Sequence, residues 1–296
     1  MLLSVVILTR NRKNELCRAL NSCIENKINN MEIIIIDNAS SDGTKTEVFK
    51  LFSEEITGVP LRYYYQSTNT GVAGGRNIGF SKAEGKYIFL LDDDAWIKTK
   101  DTFSILINRM EKELSTAAIS TAVYDIKSSY YQECTCISNS SKVDGLPEIL
   151  YYTGGASIIR KDVFKKSLYP DTLFYGSEEI YSSLYIHENG MNILYDKSLL
   201  LIHEPSTQSR LSESEILFNN IFNLFLVKYL SYPSITKIFI QLGLLLRIAK
   251  YFNLNKDAFR KCNNLFKERY RKKDENKIRF LTIYKIYRKF GMKAIV

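Results

Sequence analysis

Nothing in this 296-residue chain approaches the ~18 uninterrupted apolar residues that a membrane-spanning helix requires. The longest candidate, residues 238–246, contains Gln241 and stops at Arg247. The apolar start, residues 1–8, lacks a basic leader and a small-residue cleavage site and runs directly into Arg10 and Arg12. It therefore reads as a first strand and not as a signal peptide. Cysteine is sparse, five residues with no regular spacing, which argues against a disulfide framework and for a reducing, cytoplasmic setting. Cys134 and Cys136 lack the second ligand pair that a zinc site needs. Internal repeats and low-complexity tracts are missing as well. Nor is there an excess of positive charge outside the last fifty residues. Residues 247–296 hold 16 Lys and Arg against 4 Asp and Glu, whereas the preceding 246 hold 25 against 28, so the formal charge of +9 is a property of the tail.

What is present has the composition of a globular protein, 45% hydrophobic and 25% charged, in a chain long enough for one large α/β domain with or without an appendage. Residues 2–8, 32–36, 61–65 and 86–91 are strand-like apolar runs. Between them, residues 13–25 carry Leu16, Ala19, Leu20 and Cys23 at helical spacing, Asp42 can cap a helix running to about Phe52, and residues 73–83 read as a short helix. This alternation predicts a mostly parallel, Rossmann-like sheet with helices on both faces and ligands at the carboxyl ends of its strands. After about residue 115 the pattern loosens. Residues 119–124 read as a strand, 125–150 as an irregular loop over the site, and 151–159 as a turn and strand. Residues 160–166 and 178–189 read as helices, and 191–195 and 199–202 as two short strands. Beyond Pro205 the spacing becomes that of long helices, which sets a boundary between residues 1–206 and a helical region, 207–296.

The chemistry gathers at the predicted strand ends. Asp92-Asp93-Asp94 follows the fourth apolar run, and adjacent carboxylates raise the cost of ionising one another. A cation belongs there. A hard divalent ion bridging to substrate phosphates answers the need, although a solvated acidic loop or a helix start would also use aspartates. Asp37, ending the second run before Asn-Ala-Ser-Ser-Asp-Gly-Thr, fits either a fixed acceptor for a base N–H or plain turn chemistry. Gly71, Gly74 and Gly75 lie between the third and fourth strands, in the wrong place and spacing for a dinucleotide fingerprint. They suit close backbone approach or close helix–sheet packing, with Arg76 offered to a phosphate. Glu178 and Glu179 open a helix, where a carboxylate is either a dipole partner or a general base in reach of a substrate hydroxyl. His203, one of only two histidines, ends an apolar run in a region already rich in carboxylates.

Taken together these residues resemble an inverting glycosyltransferase of family 2 with the GT-A fold, over about residues 1–206. The resemblance rests on residues 5–12 (VVILTRNR), 37–44 (DNASSDGT), 69–79 (NTGVAGGRNIG), 91–94 (LDDD), 153–156 (TGGA) and 175–179 (YGSEE), in that order. It is nearest to bacterial rhamnosyl- and galactofuranosyltransferase-like enzymes of surface polysaccharide synthesis. It implies that Thr9, Arg12 and Asp37 hold the base and ribose of a UDP- or dTDP-sugar, with Arg76 near the diphosphate. Asp92 and Asp94 become the DxD-type element, with Asp93 between them among the residues that line the donor, and Asp94, Asp92 and His203 the ligands of Mn²⁺ or Mg²⁺. Glu179 stands where the family has its aspartate base, with Glu178 before it, and Tyr181 replaces an acid common two residues later.

The tail carries Phe280, Ile283, Tyr284, Tyr287 and Phe290 at helical spacing with basic residues between, and residues 216–230 and 235–252 add apolar helical surface. This suits a peripheral contact with the inner face of the membrane, where a lipid-linked saccharide acceptor would lie, or packing on the catalytic domain or a second subunit of a homo-oligomer. A sugar nucleotidyltransferase would show a Gly-rich basic loop after the first strand, which Thr9–Arg12 does not supply. A nucleic-acid-binding role for the basic tail leaves the carboxylates at three strand ends without a function.

Overall fold

The computed structural model describes residues 1–132, 137–206, 212–252, 255–270 and 277–291. Cys134 and Cys136 lie outside them. The first half runs β1 (Leu3–Thr9), α1 (Lys13–Glu25), β2 (Met31–Asn38), α2 (Thr44–Phe52), α3 (Glu54–Thr57), β3 (Leu61–Gln66), α4 (Gly71–Lys82), β4 (Tyr87–Asp92), β5 (Ala95–Ile97) and α5 (Thr102–Lys112). There follow β6 (Thr116–Asp125), β7 (Tyr130–Tyr131), β8 (Ile137–Val143), β9 (Leu146–Ile149), β10 (Ala156–Arg160), α6 (Glu178–Glu188) and β11 (Asn192–His203). Four helices close the chain: α7 (Glu213–Ser231), α8 (Lys237–Phe252), α9 (Lys256–Arg269) and α10 (Phe280–Phe290).

The sheet has the spatial order β3-β2-β1-β4-β10-β6-β11-β9-β8. Strands β3, β2, β1 and β4 are parallel, β10 is antiparallel to both β4 and β6, and β6 and β11 are again parallel. The long strands of the doubly wound part therefore end at one edge. Because β10 runs the other way, the segment leading into it, Thr153-Gly154-Gly155, reaches that same edge. Strand alternation distributes the core to both faces. Val6, Ile34, Ile36, Ile88 and Leu90 point to one side, and Val5, Ile7, Ile33, Ile35 and Phe89 to the other. The second side is covered by α1, α2 and α5, the first by α4, α6 and the C-terminal helices. Phe222, Leu226, Cys262 and Ile286 share one continuous core with β-strand residues Ile34 and Ile88, so the region after residue 206 packs onto the sheet as part of the same body.

Helix α4 lies close on the sheet because a Cβ at Gly75 would collide with the Leu8 side chain and one at Gly79 with Val6. The N-cap of α2 is Gly43 and not the expected Asp42; Asp42 instead accepts from Thr44 N at 3.1 Å and from Lys13 N at 3.2 Å, joining the starts of α2 and α1. Three expectations are corrected. Residues 125–150 form no irregular loop; the described part pairs β7 with β6 and folds β8 and β9 into a hairpin at the far edge of the sheet. Residues 191–202 make one strand with a register break between Asp196 and Leu200, where Asp196 Oδ1 accepts from Ser198 N at 3.0 Å. The helix expected over 160–166 is a single 3-10 turn, Lys161–Val163. No helix among the described residues is long and apolar enough to cross a membrane.

Helix α10 docks on the body through Arg279 and Thr282, both bonded to Glu188, and through Lys289, 2.5 Å from Glu148. Beside this seam the Nε2–H of His187 donates to Leu150 O at 2.9 Å, and its ring centroid lies 5.8 Å from that of Phe290. Burial disfavours the imidazolium and lowers the His187 pKa from 6.5 to about 4. Unfolded chains bind a proton at this residue between those values while folded ones do not. Its contribution to stability is therefore complete above pH 6.5 and is lost as pH falls toward 4. His187→Gln keeps a donor for Leu150 and removes the titration. The fall in melting temperature between pH 7 and pH 4.5 is expected to be shallower in the variant, and parallel curves would contradict the assignment.

Candidate active site

The strand ends and helix starts at the reactive edge line a cavity of about 590 Å³. The structure brings together there Thr9, Arg12, Arg76, Asp92, Asp93, Asp94, Glu178, Glu179 and His203. Asp37 stands apart. It is 1% exposed, outside the cavity lining, with its oxygens taken by the Tyr63 hydroxyl and by Ser40 N at 2.8 Å. Its neighbour Asn38 lines the cavity instead, donating to Asn69 Oδ1 at 2.9 Å and Gly71 O at 3.1 Å and accepting from Thr70 N at 3.0 Å. That pins the start of α4 to the end of β2.

The cations that the aspartate triplet demands come first from arginines. Arg12, at the start of α1, lies 2.9 Å from Asp93 Oδ1 and 3.3 Å from Asp94 Oδ2. Arg76, expected at a diphosphate, is buried and directs its guanidinium to carboxylates: 2.6 Å to Asp92, 2.8 Å to Glu179 and 3.7 Å to Glu178. Burial opposes the Arg76 charge, but these partners overcome it and raise its pKa further. The approach is possible because residues 154 and 155 are glycines: a Cβ on Gly154 would overlap the Glu179 carboxylate and one on Gly155 that of Asp92. The turn before α6 is tight too. Gly176 and Ser177 both have positive φ, 89° and 67°, and the serine pays for that backbone with steric strain. Asn11 and Ala39, in the loops after β1 and β2, share this conformation with φ of 52° and 69°.

The five carboxylates lining the cavity are not equivalent. Burial pushes Asp93 up to about 7 against the pull of Arg12. Burial and the neighbouring Glu179 raise Glu178 well above the carboxylate range, and its Oε2 is buried without a hydrogen-bond partner. Asp94 behaves oppositely: burial would raise it, but His203, Arg12 and Ser206 N hold it below its ordinary value. His203 Nε2 lies 3.3 Å from Asp94 Oδ1, and Asp94 Oδ2 accepts from Ser206 N at 3.1 Å.

On the far side of the ring, His203 Nδ1–H donates to Asp125 Oδ2 at 3.1 Å, with Gln132 Nε2 at 3.3 Å. Such a carboxylate sets the tautomer and leaves Nε2 facing Asp94, an arrangement that calls for a proton or a metal ion between them. Among the described residues no three His, Cys, Asp or Glu side chains converge as a ready-made metal cage. Asp92 is drawn away to Arg76, so Asp94 and His203 are the pair that fits an ion, and a magnesium-like ion uses few protein ligands when phosphates supply the rest.

Sequence reasoning missed Asp125, Asn38, and two cavity residues from α7, Ile216 and Asn220. Asp125 was detectable as an acid at the end of a strand parallel to that of His203. The α7 residues lay beyond the boundary drawn at residue 206.

Residues 4–168, more than half of the chain, match the family model for glycosyl transferase family 2. The UDP-Glc:alpha-D-GlcNAc-diphosphoundecaprenol beta-1,3-glucosyltransferase WfaP of Escherichia coli is 33% identical over 112 residues, 38% of this chain and 43% of that protein. The amylovoran biosynthesis glycosyltransferase AmsB of Erwinia amylovora is 35% identical over 111 residues, 36% of each. The match thus spans about two-fifths of the length of these relatives. Among solved structures, S. aureus TarS 1-349 in complex with UDP-GlcNAc superposes with a TM-score of 0.62 at 15% identity, covering 90% of this chain and 80% of that one. GalNAc-T7 with UDP, GalNAc and Mn²⁺ gives 0.61 at 17% identity, covering 78% and 48%. At such identities the likeness concerns the fold, which is GT-A with added C-terminal helices. By its sequence the chain belongs to glycosyl transferase family 2.

Proposed function

We propose that this chain transfers a sugar, with inversion, from a nucleoside diphosphate sugar to a hydroxyl of a lipid-linked glycan in bacterial surface polysaccharide synthesis, working at the inner face of the cell membrane. The observation that carries the reading is the pairing of Asp94 with His203 in the same cavity as Glu179. The relative named for a diphosphoundecaprenol acceptor supports the acceptor class. Its glucosyl donor, beside the motif likeness to rhamnosyl and galactofuranosyl enzymes, leaves a UDP- or dTDP-linked sugar as the donor class.

Mn²⁺ or Mg²⁺ held by Asp94 and His203 would neutralise charge on the diphosphate leaving group. The chain's own groups do the rest. Thr9, Arg12 and Asn38 border the cavity where the nucleotide would lie, and Asp37, outside its lining, holds the loop after β2 by accepting from Ser40 N. Arg76 holds Asp92 and Glu179 in fixed relative positions. Of the two glutamates, Glu179 is the base. Its side chain is 20% exposed against 4% for Glu178, and its Oε1 lies 2.8 Å from Arg76 Nη1. Glu178 keeps its proton at neutral pH, since burial raises its pKa. The acceptor O–H passes its proton to Glu179 as the oxygen attacks the anomeric carbon and the nucleoside diphosphate departs from the opposite side.

Glu179→Gln is expected to reduce transfer by roughly 10²–10⁴-fold while donor affinity measured by calorimetry stays within a few-fold. An equal loss of donor affinity would remove the base assignment. Asp125→Asn leaves the ligands in place but weakens the orientation of His203. It should lower Mn²⁺ affinity, read from the paramagnetic signal of free Mn²⁺, by roughly 10–100-fold. Unchanged affinity would take the ion away from His203.

A further inference from the structure

We propose that the outer face of α8 is a docking surface for an anionic lipid bilayer. Helix α8 is apolar nearly all round, a composition ordinarily found in buried helices. Its inner face, Ile240, Leu244 and Ile248, packs into the core shared with the sheet. Its outer face does not pack on the described residues in this way. Ile238, Phe239, Leu242, Leu245 and Leu246 are 61%, 71%, 50%, 45% and 71% exposed, and Ile235 just ahead of the helix is 74% exposed. At 3.6 residues per turn these five helix residues fall within an arc of about 120°. The result is a continuous stripe of large side chains, with no intervening charge between Ile238 and Leu246.

Charge selects the occupant. Helix α8 contains no acid, and Lys237, Arg247 and Lys250 stand at its two ends. Residues 247–296 carry 16 basic against 4 acidic side chains, so a second copy laid on this face would bring Arg247 and Lys250 against the same excess of cations. An interface of anionic lipid headgroups complements this excess of basic charge, and its acyl boundary accepts the stripe. Helix α10, which the sequence pattern favoured, is engaged along one face, with Thr282 and Ile286 buried and its ends tied to Glu188 and Glu148. Its other face exposes Phe280, Leu281, Tyr284 and Tyr287, but Lys285 and Arg288 interrupt it, so it offers no uninterrupted apolar stripe like that of α8.

The position of α8 links the surface to the site. The Phe252 ring at its end lies 5.7 Å from Phe218 of α7, and Ile216 and Asn220 on either side of Phe218 line the cavity. Docking through α8 would therefore hold the α7 wall of the cavity near the lipid, within roughly one helix diameter of α8. For its functional sense the proposal rests on the lipid-linked acceptor read above; its physical basis stands apart from that reading.

The test is co-sedimentation of the full chain with vesicles of phosphatidylglycerol and phosphatidylcholine. The wild-type chain should pellet with them, less so at high salt. Combined Phe239→Ser, Leu242→Ser and Leu246→Ser should cut the bound fraction roughly tenfold or more without altering the melting temperature. Tyr284→Ser with Tyr287→Ser on α10 should pellet like the wild type. The proposal is overturned if the wild type stays in the supernatant, if the α8 variant pellets equally, or if the α10 variant is the one that is lost. It is also overturned if light scattering shows a dimer that the α8 variant converts to monomer. Hydrolysis of nucleotide sugars, run on both proteins without vesicles, separates this result from the transferase reading. Equal hydrolysis by the two supports that reading whatever the vesicles show, and silence from both counts against the reading and leaves the docking result standing.

Discussion

Six carboxylates, Asp92, Asp93, Asp94, Asp125, Glu178 and Glu179, meet at one edge of a sheet, and among the described residues Arg12, Arg76 and His203 are the basic side chains that pair with them. Removing that much negative charge from water without partners would cost several kcal/mol per group, so the arrangement of the cations governs the local architecture. Arg76 reaches three of the six only because Gly75 lets α4 sit against Leu8 and because Gly154 and Gly155 leave room for the carboxylates. Arg12 is carried into place by a loop whose Asn11 N–H donates to Ser40 Oγ at 2.8 Å and whose Asn11 Oδ1 accepts from Ser41 N at 2.7 Å. The left-handed backbone at Asn11, Ala39 and Ser177 belongs to the same accommodation.

The balance divides equally buried carboxylates into two sets. Glu178 and Asp93 are driven toward the protonated state by burial, which lowers the charge the arginines must offset. Asp94 is held ionised beside an imidazole whose other nitrogen is fixed by Asp125.

How much of this the sequence disclosed depended on the kind of signal each part leaves. Strands β1 to β4 are buried apolar runs bounded by polar turns, and their limits were legible to within two residues or so. The reversal of β10 was not, since a five-residue segment, Ala-Ser-Ile-Ile-Arg, reads alike in either direction. Residues 125–150 looked like a loop because the β8–β9 hairpin, at an edge with little core to cover, has few apolar residues to alternate. Strand β11 looked like two because the Asp196–Ser198 turn resembles a chain break. In the site, Asp94, His203 and Glu179 stood out by residue type at strand ends and a helix start. Arg76 was found, but its partners were not, because Asp92 and Glu179 come to it from 16 and 103 residues away. Asn220 was hidden by the assumption that the helical region begins where the site ends.

That last point bears on how such an enzyme can diversify. The stretch recognised as the family ends at residue 168, and it contains the aspartate triplet, Arg12 and Arg76. Glu178, Glu179, His203, Ile216 and Asn220 all come later in the chain yet face the same cavity. The cavity is therefore a seam between the part that matches the family model and the part that follows it. Exchange of the segment after β10 would replace Glu179 and His203 along with Ile216 and Asn220, so the two parts have to change in step if Arg76 is to keep a carboxylate across the seam.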